Sequence, residues 1–175
     1  KLHTAILADL QGPKIRVGEL DRPIKLKKGA EVTFSTKKKK ETIYINYQGF
    51  AKDVQAKDRV LLDDGKLTLE VISTNKKDLV ILRVIFGGLL LSKKGVNLPN
   101  TKISLPCLTP KDKKDLEFIF SQKIEWIGLS FVRSANDVKI LKKIIEKQKV
   151  HHKVIAKIEK PEAIKDIDAI IDSTD

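Results

Sequence analysis

Among its 175 residues the chain has a single cysteine, Cys107, and no methionine. One thiol excludes an intrachain disulfide, so the fold must rest on its core, and a reducing, cytoplasmic setting is expected. Aromatic residues are scarce: six Phe, two Tyr and one Trp. Single-stranded nucleic acids are gripped by aromatic platforms interleaved with basic groups. That interleaving is missing, so nucleic acid is not an expected partner. The longest apolar stretch, Leu79 to Leu91, is broken by Arg83 and by Gly87-Gly88. A bilayer span needs about 20 apolar residues, so no membrane partner is expected. The opening Lys1-Leu2-His3-Thr4 has neither an initiator Met nor the apolar core of a signal peptide. The expectation is a piece excised from a longer chain.

Charge is abundant. The composition is 41% hydrophobic and 33% charged, that of a folded domain or two. The net charge of +12, mostly lysine, favours phosphorylated small molecules among polyanions. The run Lys37-Lys-Lys-Lys40 reads as a solvated hairpin tip. Two kinds of sequence alternate. Residues 15 to 104 carry short apolar runs (Val32–Phe34, Ile43–Ile45, Val60–Leu62, Leu67–Ile72, Leu79–Ile85) between turn signals at Lys28-Gly29, Asp64-Gly65, Asn75–Lys77 and Gly87-Gly88. This spacing predicts a small β-barrel or sandwich, with its clearest hairpin at Val60–Leu69.

The flanks predict alternating strand and helix. Residues 4 to 9 form one strand. Thr109 caps a helix that begins at Pro110, and Glu125–Leu129 is a strand. Ser134 caps a helix striped by Val138, Leu141, Ile144 and Ile145; Val154–Ile158 is a strand, and Pro161 starts a helix ending near Asp172. Strands apolar on both faces that alternate with helices build parallel sheets, whose ligands bind at the carboxyl ends. Those ends are Asp9, Ser130 and Lys157/Glu159. Residues two apart on a strand share a face, so Lys157 and Glu159 point the same way. A cation beside a carboxylate at such an exit suits phosphate and a divalent metal. The plain alternative is a polar strand end with a surface ion pair.

Five segments occur in order: Asp9-Leu-Gln-Gly-Pro-Lys-Ile-Arg16, Leu62-Asp-Asp-Gly65, Ser92-Lys-Lys-Gly-Val-Asn-Leu-Pro99, Leu129-Ser-Phe-Val-Arg133 and Lys157-Ile-Glu159. Together they resemble the pyruvate kinase family over the whole chain. The resemblance implies an incomplete (β/α)8 TIM-barrel piece, residues 1–12 and 106–175, holding about three strands. It also implies an inserted small β-barrel lid, residues 13–105. The glycolytic reaction implied is transfer of the phosphoryl group of phosphoenolpyruvate to ADP, giving pyruvate and ATP. Lys157 matches the catalytic lysine, Glu159 a ligand of Mg2+ (or Mn2+), and Arg16 and Lys94 the nucleotide-phosphate contacts. Asp9 matches a carboxylate of the monovalent-cation site. Lys14 stands where members that require K+ carry Glu, so K+ is not expected to be required. Full-length members are expected to form homo-oligomers, tetramers in particular. The piece alone is expected to be inactive, and to pair with a second copy or distort at its open barrel edges.

Plainer roles are expected for other conspicuous residues. Asp63 and Asp64 are expected to shape the turn before Gly65, with contact to a ligand as the alternative. His151 and His152 are loop residues, Cys107 and Trp126 pack, and Ser130, lacking a nucleophile elbow, orients groups at the strand exit. Two other classes remain open. One is a Mg2+-dependent barrel lyase acting on phosphoenolpyruvate or a 2-oxo acid. The other is a non-catalytic basic β-barrel binding module.

Overall fold

The structure, a computed structural model, describes residues 4–175. In chain order it runs β1 (Leu7–Asp9), β2 (Ile24–Leu26), β3 (Glu31–Ser35), β4 (Ile43–Tyr44), α1 (Phe50–Asp53), β5 (Arg59–Leu62), β6 (Leu67–Thr74), β7 (Leu79–Phe86), β8 (Gly88–Leu90) and β9 (Val96–Asn97). There follow α2 (Pro110–Phe120), β10 (Trp126–Leu129), α3 (Ala135–Lys147), β11 (Lys153–Ala156), α4 (Pro161–Ile164) and α5 (Ile167–Ser173). Two compact units result: residues up to Pro13 together with Leu105–Asp175, and Lys14–Ser104.

The first unit is a parallel sheet in the order β1-β10-β11. Asp9 pairs with Gly128, Gly128 with Ile155, and Leu129 with Ala156. Ile127, Leu129 and Val154 are fully buried beneath Leu116, Ile119, Val138, Leu141, Ile145 and Ile170 of the helices. Each such side chain contributes about 1.5–3 kcal/mol of transfer free energy. The strands carry apolar residues on both faces, but only one face is buried. On the opposite face Leu7 and Ile155 are 50% and 39% exposed, because helix packing covers only one side. Trp126 is likewise half-buried rather than core, with the Lys153 ammonium 5.1 Å from its ring centre.

Helix starts follow their caps. Thr109 Oγ1 accepts the Asp112 amide at 3.1 Å, while Asp112 Oδ2 accepts the Thr109 amide at 2.8 Å. At the start of α3 the bonding comes from Asp137, whose Oδ2 accepts the amides of Arg133 (3.0 Å) and Ser134 (3.3 Å). The single helix expected from Pro161 onward is two. Asp166 leaves helical geometry (φ −118°, ψ 20°) and its Oδ2 accepts the Ala135 amide at 2.8 Å. A tertiary hydrogen bond thus overrides a sequence with good local helix propensity.

The second unit is a six-stranded sheet, β4-β3-β7-β6-β5-β9, with a two-stranded sheet of β2 and β8. Phe34, Phe50, Leu62, Leu69, Leu82, Leu90 and Leu98 are fully buried in it. The hairpin β5–β6 forms as expected, with Leu62 opposite Leu67. Two expectations fail. Strands β3 and β4 are parallel, so Lys37–Lys40 lies on a crossover and not on a hairpin tip. Gly87 is not a turn but the point where the chain passes from one sheet to the other. A Cβ there would stand 2.3 Å from the Leu26 carbonyl oxygen.

Candidate functional site

In the first unit the three strand exits converge. The Lys157 amide donates to the Leu129 carbonyl (3.0 Å), carrying the ladder one residue beyond β11. Its ammonium then reaches back across the sheet. Nζ lies 2.9 Å from both carboxylate oxygens of Asp9, 2.9 Å from Ser130 Oγ and 3.4 Å from Glu159 Oε1. Burial pushes the Lys157 ammonium down, but the Asp9 hydrogen bond and the Glu159 and Asp9 charges outweigh it, and its pKa is raised. The group is a cation throughout the physiological range and cannot act as a base.

Each partner is itself held. Ser130 is buried; its hydroxyl donates to the Leu10 carbonyl at 2.6 Å, which aims a lone pair at Lys157. Cys107 Sγ donates to the Ser130 carbonyl at 3.0 Å. Burial first, then the Asp137 charge, pushes the Cys107 thiol up to about 12, so it packs and does not react. Glu159 Oε2 accepts the Phe131 amide at 3.1 Å, from a residue in left-handed backbone (φ 57°). Gly12, also left-handed (φ 64°), comes so close that a Cβ would meet Phe131 Cδ2 at 2.8 Å and Ser130 Cβ at 3.1 Å. Its amide donates to Asp112 Oδ1 at 3.1 Å, tying the exit of β1 to the cap of α2.

In the second unit Arg16 and Lys94 are brought onto adjacent segments. Arg16 pairs with Gly95, the Val17 amide donates to the Lys94 carbonyl (2.9 Å), and Arg16 Nη1 donates to the Lys93 carbonyl (2.9 Å). Lys94 Nζ forms an ion pair with Asp63 Oδ1 at 2.8 Å. Lys14 is exposed, and its carbonyl accepts from Asn46 Nδ2 at 3.4 Å. Residues 14–104 hold 20 Lys and Arg against 10 Asp and Glu, so this unit carries +10 of the +12 net charge. A field of this sign attracts anions.

Three participants escape sequence reasoning. Asp63 reads as a turn former, and its Asp-Gly context hides the pairing with Lys94. Asp112, which completes the Thr109 cap, is also the partner of the Gly12 amide, 100 residues away in sequence. Phe131 acts through its backbone amide, which binds Glu159 Oε2 and which its side-chain type does not signal. His151 and His152 are loop residues as expected, with the His152 ring against Phe120.

Comparison with known proteins gives the family of the chain. A family model described as "Pyruvate kinase, barrel domain" matches residues 1–175. Pyruvate kinase 2 of Synechocystis sp. is 44% identical over 97% of this chain and 30% of its own length. The pyruvate kinase of Corynebacterium glutamicum is 40% identical over 95% of the chain and 36% of its own length. That of Geobacillus stearothermophilus is 38% identical over 98% of the chain and 30% of its own length. The chain thus spans about a third of the length of the curated relatives it matches. No helix among the described residues is long and apolar enough to cross a membrane. With a matching family model from end to end and relatives near 40% identity over nearly every residue, the chain belongs to the pyruvate kinase family.

Proposed function

We propose that the chain supplies the phosphoryl-handling part of a pyruvate kinase, which transfers the phosphoryl group of phosphoenolpyruvate to ADP and yields pyruvate and ATP. The carrying observation is the gathering of Lys157, Asp9, Ser130 and Glu159 at the carboxyl ends of three parallel strands. In this reading the parallel sheet is part of a (β/α)8 barrel, residues 1–12 and 106–175, and residues 13–105 form its lid. The complete enzyme is a homo-oligomer.

In the reaction the bond from phosphorus to the enol oxygen breaks, a bond to the ADP β-phosphate oxygen forms, and the enolate gains a proton. Phosphoryl transfer is served mainly by positioning and by charge. The Lys157 ammonium, oriented by Asp9 and Ser130, supplies a compact positive charge to the transferring oxygens. Arg16 and Lys94 grip the nucleotide phosphates. Glu159 would hold Mg2+ (or Mn2+): its carboxylate is a hard oxygen donor, oriented by the Phe131 amide, and Mg2+ commonly takes one or two carboxylates besides substrate oxygens. When bound, the metal neutralises charge on the phosphoryl group. Lys14, an ammonium near the Asp9 segment in sequence, stands in for K+, and Asp9 serves Lys157 in place of a monovalent cation.

The test is an enzyme of family length carrying this chain in place of the matching segment of the Synechocystis relative. It is expected to form pyruvate and ATP from phosphoenolpyruvate and ADP with Mg2+ and without K+. Phosphate loss from phosphoenolpyruvate independent of ADP would refute the reaction. A tenfold or greater rise in rate on adding K+ at constant ionic strength would refute the role of Lys14.

A further inference from the structure

The hairpin joining β5 to β6 does more than reverse the chain. Asp63, Asp64 and Gly65 are all left-handed (φ 50°, 55° and 87°), which turns the Asp63 side chain toward the segment leading into β9. Its amide donates to the Gly95 carbonyl at 3.1 Å, and Leu62 pairs with Val96 in the ladder. The backbone thereby holds the Asp63 carboxylate beside Lys94, with Oδ1 2.8 Å from Nζ. The second oxygen, Oδ2, lies 3.5 Å from Lys66 Nζ. The Asp63 side chain is 18% exposed and that of Lys94 32%, so the pair is partly withdrawn from water.

We propose that Asp63 sets the phosphate affinity of Lys94: it is an internal anion that a ligand phosphate must displace from the Lys94 ammonium. The proposal rests on the reading of Lys94 as a nucleotide-phosphate contact and adds to it a built-in competitor. A carboxylate offers one negative charge, and a nucleoside diphosphate two or more. A diphosphate therefore takes over Lys94 from Asp63, and the exchange weakens its binding by the free energy of the broken ion pair. Asp63 is not left alone by the exchange, since Lys66 already shares its carboxylate. The Lys94 hydrogen bond, with the Lys66 and Lys94 charges, outweighs burial and holds the Asp63 carboxyl below the usual range, so the competitor is charged at neutral pH.

The chain itself is titrated calorimetrically with pyrophosphate and, in parallel, with inorganic phosphate, at fixed ionic strength. Asp63→Asn removes the charge and preserves the turn, because Asn tolerates left-handed backbone as well as Asp does. Its thermal unfolding midpoint confirms the fold. Binding of pyrophosphate is expected to tighten about two- to fivefold, the range of an exposed ion pair. Inorganic phosphate, which must make the same exchange, is expected to tighten by a similar factor. Asp64→Asn, which shares the turn but not the ion pair with Lys94, is expected to change little. In a Lys94→Ala background the Asp63→Asn gain disappears. Overturning results are no gain, a weaker complex, or an equal gain in the Lys94→Ala background, which would make it a general charge effect. If Lys94→Ala alone leaves pyrophosphate binding intact, the phosphate role of Lys94 falls, and this inference with it. If Lys94→Ala weakens binding while Asp63→Asn does not tighten it, only the inference falls.

Discussion

Replacing Lys157 with Ala separates chemistry from architecture. Nζ is bound by two Asp9 oxygens and Ser130 Oγ at 2.9 Å each, with Glu159 at 3.4 Å. All three N–H donors of the ammonium are engaged, so in the proposed reaction a phosphoryl oxygen takes over a donor from the exposed Asp9 carboxylate. At about 4 Å and an effective dielectric near 20, one unit charge pair is worth about 4 kcal/mol. That corresponds to a fall in kcat of about a thousandfold. The fold loses far less. The Asp9 side chain is 57% exposed, so an unpaired Asp9 is rehydrated and the stability change stays under about 1 kcal/mol. The assay is steady-state kcat and KM for phosphoenolpyruvate in the family-length enzyme carrying this chain, beside the thermal midpoint of each protein. A thousandfold loss in kcat, with KM within a few-fold and the midpoint within a few degrees, is the expected pattern. A kcat within tenfold of the parent, or an effect confined to KM, would remove Lys157 from the transition state.

Gly12→Ala is expected to destabilise the chain by about 1–3 kcal/mol in urea denaturation, since it combines left-handed backbone with a 2.8 Å approach to Phe131. Asp112→Ala removes the acceptor for the Gly12 amide and for the Thr109 amide and hydroxyl. It should cost about 2–4 kcal/mol, with Asp112→Asn recovering part of the loss. Cys107, with its thiol pushed up to about 12 mainly by burial, should resist a disulfide reagent at pH 8 in the native state. It should react promptly once urea exposes it and its pKa falls toward the ordinary thiol value.

The strand-exit site was legible because its signal is local. Period-two alternation places Lys157 and Glu159 on one face, and the parallel reading puts Asp9 and Ser130 at the same sheet end. The helix starts at Pro110 and Ala135 were legible for the same reason, as caps lie within four residues of what they cap. What stayed hidden depends on distant partners. The break between α4 and α5 follows from Asp166 bonding to Ala135, and the parallel pairing of β3 with β4 defeats the hairpin reading of Lys37–Lys40. Asp63 beside Lys94 depends on the β5–β9 register, which local turn chemistry does not encode.

The pairing of β1 with β10 bears on the order of assembly. Asp9 must find Gly128 across nearly the whole intervening chain, and closing that long a loop is entropically unfavourable. Within the interposed residues, however, the Val96 amide donates to the Ile15 carbonyl at 2.9 Å, so the β-rich unit fastens its own ends together. Once it has formed, the tether between Asp9 and Gly128 shortens to roughly a third, which lowers the closure cost by about 1 kcal/mol. Early collapse of the inserted segment therefore speeds registration of the parallel strands, and a lesion that slows the first event delays the second.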